Sequence, residues 1–364
     1  MKVSINQTEL LNALSIVQKG VSSKSTLPVL SGIYVEAFGD NLMFQTTDLE
    51  LSIQYTASAL VEEEGKIVFP GKLIVDIVKN LPDAAVHIDA GENEAVISCE
   101  TSSFSIRCMN PLDFPGFPKV EPDQTISVPF ETFSSMAKKV CRVVSKDQSR
   151  AILTGVLVTV EDGSFKMVAT DSYRLAVTQS AFEGQADDFK VVVAGTFMSD
   201  LAGLPRSGDD ISFAIAQNQI IVSYHGTMFV NRRIEGNYPN YKQLIPSSYM
   251  TRCVVDRSAF SSAVRRASLL DHSGSQVRFS INVPSQTIQL TTATQDVGST
   301  QEILKSQIEG EDVEIGFNSY YVNEGLSAMD SSEVALEVQG SLKPGILRGV
   351  GEEDYLYLVM PVRI

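Results

Sequence analysis

The chain has 364 residues, with 44 acidic and 29 basic side chains and a net charge of −15. Its 43% hydrophobic and 20% charged residues are those of an ordinary soluble globular protein, and its length allows two or three domains. No apolar run approaches the roughly 18 residues of a membrane span, and the acidity taken alone argues against nucleic acid, whose binders usually show a basic footprint.

Met1 leads into a strand-like segment rather than a signal peptide, and a helix follows. Asn6 supplies an N-cap, Glu9 completes a capping-box pattern, and Leu10, Leu14, Val17 and Val21 recur at helical spacing. Alternating segments SGIYVEAF and NLMFQTT flank a Gly39-Asp40 turn. A second helix is expected over 71–82, and the strands end in a DFPGF corner at 113–117. The same order then begins again. Phe133 takes the slot of Leu10, and Met136 or Ala137, Val140, and Val143 or Val144 continue the stripe. GVLVTVE and SFKMVAT flank an Asp162-Gly163 turn, 195–205 matches the second helix, and NYPNY at 237–241 matches the corner. A third, more diverged copy carries Phe260, Ala263 or Val264, and Ala267 on its first helix, with the second over 318–329.

Gly32 and Gly155 are 123 residues apart, as are Thr47-Asp48 and Thr170-Asp171, and Pro115 and Pro239 are 124 apart. A period of about 125 residues is a whole domain, not a solenoid unit. The fold class read from this is α+β: three tandem copies of one domain, each with two helices covering one face of an antiparallel sheet. The boundaries fall at 1–121, 122–247 and 248–364, with the polar crossings EPDQT and PSSYMT between them.

The first helices carry the informative charges. Residues 10–22, 132–146 and 257–270 contain no Asp or Glu, although 44 acidic residues in 364 would place about five in those 42 positions. They hold Lys19, then Lys138, Lys139, Arg142 and Lys146, then Arg257, Arg265 and Arg266; Lys24 and Arg150 continue the trend in the loops that follow. In the second copy Ser135, Lys138, Arg142 and Lys146 share a side opposite the apolar stripe. One such helix is an ordinary solvated face. Three at equivalent places in an acidic chain point to a common basic surface for a phosphate backbone, contacted without regard to base sequence.

Motifs for catalysis, metals and cofactors do not occur. His87, His225 and His272 form no HExxH or HxH, no GxSxG elbow is present, Gly71-Lys72 lacks the upstream glycine of a phosphate loop, and no GxGxxG opens a βαβ unit. Cys99, Cys108, Cys141 and Cys253 show no CxxC spacing, which suits reduced thiols in a cytoplasmic protein. Asp48 and Asp171 could serve a hydrolase, but the recurrence of the Thr-Asp pair in two copies argues a turn role.

At ATDSYRLAV (169–177), the NYPNY corner and YLVMPVRI (357–364), the chain resembles the bacterial DNA polymerase III β subunit family, the sliding clamps; STLPVL (25–30) and EIGFNSYY (314–321) extend the likeness over the whole length. The resemblance implies a non-catalytic processivity factor: a head-to-tail homodimeric ring of six similar domains, helices lining the hole, that encircles and slides on double-stranded DNA. It implies a separate clamp-loader ATPase and a pocket between the second and third domains for short linear motifs of polymerases, loader and repair proteins. Matching positions are Leu153, Thr170, Ser172, Tyr173, Arg174, Leu175, Pro239, Leu244, Asn318, Tyr321, Leu342, Leu358, Met360, Pro361, Val362, Arg363 and Ile364. Phe104 and Leu269 or Leu270 match the dimer seam. Ser172-Tyr173 stands where the family often has Gly-His, Gln243 where an arginine is common, and Lys24 where an arginine sits. The reading from another class is an acidic, repeat-built protein-interaction scaffold without a DNA role, resting on net acidity and the apolar C-terminal tail.

Overall fold

The computed structural model describes residues 1–364 apart from 23–24, 185–188, 271–275, 295–297 and 364. The helices are Gln7–Val17 (α1), Gly71–Lys79 (α2), Phe130–Val140 (α3), Gly195–Ala202 (α4), Arg257–Ala267 (α5) and Ser319–Ser327 (α6). α1, α5 and α6 start at polar caps: Asn6 Oδ1 accepts the Thr8 N–H at 2.8 Å, Asp256 Oδ1 that of Ala259 at 2.7 Å, and Asn318 Oδ1 that of Tyr321 at 3.2 Å. The expected apolar stripes are the buried faces, with Leu10, Leu14 and Val17, then Phe133, Ala137 and Val140, then Phe260, Ala263, Val264 and Ala267 withdrawn from solvent. One expectation is corrected. α3 does not run to 146 but stops at Val140 and tightens into a single 3₁₀ turn, Cys141–Val143. Its end is rich in β-branched valines, which lose side-chain freedom in a helix, and the tighter turn still buries Val143.

The chain forms two compact units. The first comprises 1–131 and 203–233. Its five-stranded antiparallel sheet has the order Leu60–Glu63, Lys2–Asn6, Ala85–Ala90, Glu94–Cys99, Ser102–Arg107. Its eight-stranded sheet joins two repeats: Gln124–Pro129, Asp210–Ile215, Gln219–Tyr224 and Thr227–Arg232 of the second, then Leu51–Ser58, Asn41–Thr47, Gly32–Phe38 and Gly65–Pro70 of the first. The joint is antiparallel, with Phe229 opposite Ile53.

The second unit comprises 132–202 and 234–364. Its nine-stranded sheet is joined in the same way, Arg174–Ala181 of the second repeat pairing Tyr355–Val359 of the third with Ala176 opposite Tyr357. A four-stranded sheet, Gly298–Lys305, Thr287–Thr294, Gln276–Asn282, Val313–Asn318, completes it. The strands of each repeat thus divide between two sheets. The hairpins close as their turn residues dictate; Asp162 (φ 52°) and Gly163 (φ 67°) both adopt the left-handed conformation of a type I′ turn.

The matched glycines have a packing reason. A Cβ on Gly32 would lie 2.4 Å from Val68 Cγ1 and 2.5 Å from Met109 Cε, and one on Gly155 would lie 2.5 Å from Val192 Cγ1 and 2.9 Å from Ile234 Cδ1. In both repeats the segment leading to the corner crosses directly over the first strand of the hairpin. Gly155→Ala should therefore cost about 1–3 kcal/mol through overpacking. Urea unfolding measures this, and an unchanged midpoint would refute the packing account.

Candidate peptide pocket and phosphate-binding helices

The turn after Thr170 builds one wall of the candidate pocket. Asp171 Oδ1 accepts the backbone N–H groups of Tyr173 (2.9 Å) and Arg174 (3.0 Å), while Thr170 Oγ1 donates to the Arg174 carbonyl (2.7 Å). Ser172 is held at φ 79°, a left-handed conformation that costs a residue with a Cβ about 1–2 kcal/mol. The first repeat has the same construction. Asp48 Oδ1 accepts from Glu50 and Leu51, and Leu49 sits at φ 77°. The recurrent Thr-Asp pairs are turn formers.

The turn leaves Tyr173 exposed and directs Arg174 inward, to 6% exposure. The Arg174 guanidinium donates to Asp171 Oδ2 (3.0 Å), Glu324 Oε2 (2.9 Å), the Tyr357 hydroxyl (3.3 Å) and the Arg142 carbonyl (2.9 Å). It also lies 4.5 Å from the Tyr321 ring centroid. A charge this deep is tolerable because it is paired and hydrogen-bonded all round. Arg174 therefore keeps its charge enclosed and supports Tyr321 from below. The Tyr173 and Tyr321 rings stack at 6.4 Å. Burial, and next the Asp171 carboxylate, push the Tyr321 hydroxyl above its ordinary range, so it stays neutral.

Leu175 and Leu358, opposite each other on paired strands, belong to an apolar cluster with Leu157, Val168, Tyr241 and Ile346, against which Met360, Tyr238 and Ile245 pack half-buried. Tyr355–Val359 is an internal strand; the tail leaves the sheet only at Met360. There the Met360 N–H donates to the Tyr173 carbonyl (2.8 Å) and the Val362 N–H to the Gly316 carbonyl (2.9 Å). Pro361 and Val362 are half-buried, Arg363 is exposed, and Ile364 lies outside the described residues. Leu153 and Thr170 are buried, Asn318 is occupied in capping α6, Pro239 is exposed, and Leu244 and Leu342 are exposed apolar side chains.

The basic candidates separate into groups. Lys19, Lys138, Lys146 and Arg265 are exposed. Arg142 donates to Ser327 Oγ (2.7 Å) and the Lys138 carbonyl (3.1 Å). Arg266 is exposed but forks onto Glu302 at 2.9 and 2.6 Å, holding that carboxyl below its usual range. Arg150 donates to Asp147 (3.3 Å) and to Ser172 Oγ (3.0 Å), which seats it against the pocket turn. Lys139 departs from the expectation outright. It is buried, with its Nζ 3.0 Å from Asp330 Oδ2 and 5.4 Å from the Tyr355 ring centroid. Lys139 follows the buried Met136 by three positions and so falls at the edge of the apolar stripe, while Lys138 lies on the outer side. Lys24 lies outside the described residues. Of the residues expected at a dimer seam, Phe104 is 39% and Leu269 68% exposed, while Leu270 is half-buried.

Sequence reasoning did not anticipate Glu324, Tyr357 and Tyr241 as supports of this site, or the seat of Arg150 on Ser172. These contacts join distant segments and leave no local spacing to read. Among the described residues no group of His, Cys, Asp and Glu could hold a metal ion. Burial pushes the Cys253 thiol up to about 12 and the Cys141 thiol likewise to about 12, with Arg142 opposing only the latter, so neither is a ready nucleophile.

Three α+β repeats joined through shared sheets, with an acid-poor first helix in each, define the DNA-clamp class. Residues 1–118 match the N-terminal domain of the DNA polymerase III beta subunit, 127–240 its central domain and 242–363 its C-terminal domain. The chain is 31% identical to the beta sliding clamp of Synechocystis sp. over the whole of both chains. It is 29% identical to that of Staphylococcus epidermidis over 100% of this chain and 99% of the relative. The solved DNA polymerase sliding clamp of Bacillus subtilis superposes with a TM-score of 0.94 at 27% identity, covering 100% of this chain and 99% of that one. The DNA polymerase III beta subunit of Thermotoga maritima gives 0.94 at 26%, with the same coverage. The chain belongs to the DNA polymerase III β subunit family, and is a processivity factor and a non-catalytic subunit.

The two neighbouring lysines of α3 make a direct test. Lys139→Glu should cost about 1–3 kcal/mol, since it sets a carboxylate with a buried stem beside the exposed carboxylates of Asp330 and Asp354, whereas Lys138→Glu should cost under about 0.5 kcal/mol. Equal costs in urea unfolding would contradict the assignment.

Proposed function

We propose that two copies of the chain close head to tail into a ring around duplex DNA and tether the polymerase through the pocket. The observation carrying this reading is the pair of sheet joints. Each joint pairs the last strand of one repeat with the third hairpin strand of the repeat before it: Thr227–Arg232 with Leu51–Ser58, and Tyr355–Val359 with Arg174–Ala181. The counterparts left over are Ser102–Arg107 in the first repeat and Gly298–Lys305 in the third. Both are sheet edges. An exposed edge is a template for another strand. Carrying the register over from the two internal joints places Phe104 opposite the partner's Thr300 and Ser102 opposite the partner's Glu302. Phe104 and Leu269 supply apolar surface to that seam, roughly 1.5–3 kcal/mol for each side chain fully buried. Leu270, already half-buried, has less to give.

In the ring the acid-poor helices face the duplex. Lys19, Lys24, Lys138, Arg142, Lys146 and Arg265 make the phosphate contacts, with Arg266 a weaker candidate because Glu302 holds it. Encirclement supplies retention, so loose, salt-sensitive contacts suffice, and the acidic remainder repels DNA from the outside. Opening and loading fall to a separate ATPase in the cytoplasm. Tyr173, Tyr321, Leu244, Leu342 and the Met360–Arg363 tail receive linear motifs of polymerase and repair proteins, and Arg150 belongs with this rim rather than with the DNA contacts.

Native mass spectrometry should find a dimer, and Phe104→Asp combined with Leu269→Asp should give a folded monomer; a persistent dimer would remove the seam. Loaded onto nicked circular plasmid, the protein should stay bound and be lost on linearisation. Retention indifferent to topology would favour the acidic scaffold instead. Deleting residues 360–364 should abolish binding of polymerase-derived peptides in fluorescence anisotropy while leaving the dimer mass unchanged, and unaltered peptide affinity would refute the pocket assignment.

A further inference from the structure

The two loops that carry Leu244 and Leu342 continue beyond the candidate pocket. Two residues on from each, at Pro246 and Pro344, they begin to wall a second groove of about 430 Å³. Gln339 Nε2 donates to the Ser248 carbonyl at 2.6 Å, which ties one wall to the other, so the groove is preformed. Its floor is the face of the nine-stranded sheet: Ile346 and Arg348 on Gly345–Gly349, and Glu337 on the neighbouring strand. Ile346 packs in the same cluster as Leu175 and Leu358, so pocket and groove share one apolar floor.

The charge on that floor is uneven. Glu337 is flanked by two guanidiniums, with Arg252 Nε 3.5 Å from Oε1 and Arg348 Nε 3.4 Å from Oε2. Both separations exceed a good N–H···O bond, and Arg252 Nε is buried without a hydrogen-bond acceptor. The nearby Glu309 carboxylate is held by the Tyr249 hydroxyl at 2.6 Å. Two arginines therefore share one carboxylate on the floor, and Arg348 opens into the groove with fork donors suited to a second.

We infer that this groove takes the acidic flank of a partner's linear motif, an Asp or Glu carboxylate met by Arg348, while the apolar part of the motif fills the neighbouring pocket. The inference rests on the pocket reading above. It gives the pocket a specificity that its apolar residues cannot supply, because an apolar site ranks ligands by shape and a fixed guanidinium ranks them by charge.

The test uses the full chain and a fluorescein-labelled hexapeptide with Leu and Phe anchors, alone or extended at either end by Glu-Glu or by Lys-Lys. Glu-Glu at one end should tighten binding about fivefold or more at low salt, and the gain should shrink as salt rises. Arg348→Ala should abolish the gain and leave the unextended hexapeptide within twofold of its original affinity, which also reports that the variant is folded. Arg348→Lys should keep part of the gain. The inference is overturned if Lys-Lys tightens binding as much, or if the Glu-Glu gain survives Arg348→Ala. If the unextended hexapeptide fails to bind the full chain, the pocket reading fails first and the groove falls with it.

Discussion

The antiparallel pairing of one repeat's last strand with the third hairpin strand of the repeat before it is the constraint on which the rest depends. It fixes Phe229 against Ile53 and Tyr357 against Ala176, and thereby the continuity of both long sheets. Because backbone groups make it, the side chains on either side were free to diverge without loosening the joint. The third repeat has diverged most in sequence, yet its joint keeps the same pairing as the one before it.

That freedom explains why the apolar cluster around Leu175 and Leu358 belongs to one joint and not to both. Where the second unit has Val168, Leu175 and Val177 on its sheet face, the first has Gln45, Ser52 and Gln54. Gln45 Nε2 donates to Gln54 Oε1 at 3.2 Å, and Thr47 and Ser52 share a hydrogen bond of 2.8 Å. Where Tyr173 and Met360 stand together, the first unit has Glu50 and Arg232, an ion pair at 3.4 Å. The backbone bond beneath is conserved, Arg232 N–H to Glu50 carbonyl in one and Met360 N–H to Tyr173 carbonyl in the other. One framework carries an apolar floor in one place and a polar one in the other. Around the polar joint, the described residues of the first unit form one apolar cluster about Tyr34 and a separate one about Val230.

Local patterns in the sequence carried the repeat, the helices and the turns. Stripes such as Phe260, Ala263, Val264 and Ala267 are set by helical spacing, and Thr-Asp turns by a carboxylate reaching its own backbone. The pocket positions came through family resemblance, not through periodicity. Less was legible wherever a side chain's role is decided by partners far along the chain. Lys138 and Lys139 look alike in sequence, but only Lys139 has Asp330 beside it. Arg174 was one pocket position among others, and only the distant Glu324 and Tyr357 reveal that its charge is enclosed. The division of each repeat between two sheets was also out of reach, since strand alternation shows which face is buried and not which neighbour a strand will choose.

The shared sheets bear on how the chain is made. The first unit is not finished when residue 131 has been synthesised, because half of its eight-stranded sheet comes from the second repeat and three of those strands lie within 203–233. Until that segment leaves the ribosome, the strand Leu51–Ser58 has no partner on its outer side. At rates of roughly 5–20 residues per second, the 168 residues between Ser58 and Thr227 hold that edge open for about 8–34 seconds. The nascent chain is thus exposed in that interval to pairing with a wrong strand, its own or a second nascent chain's, at the edge that later fixes its register.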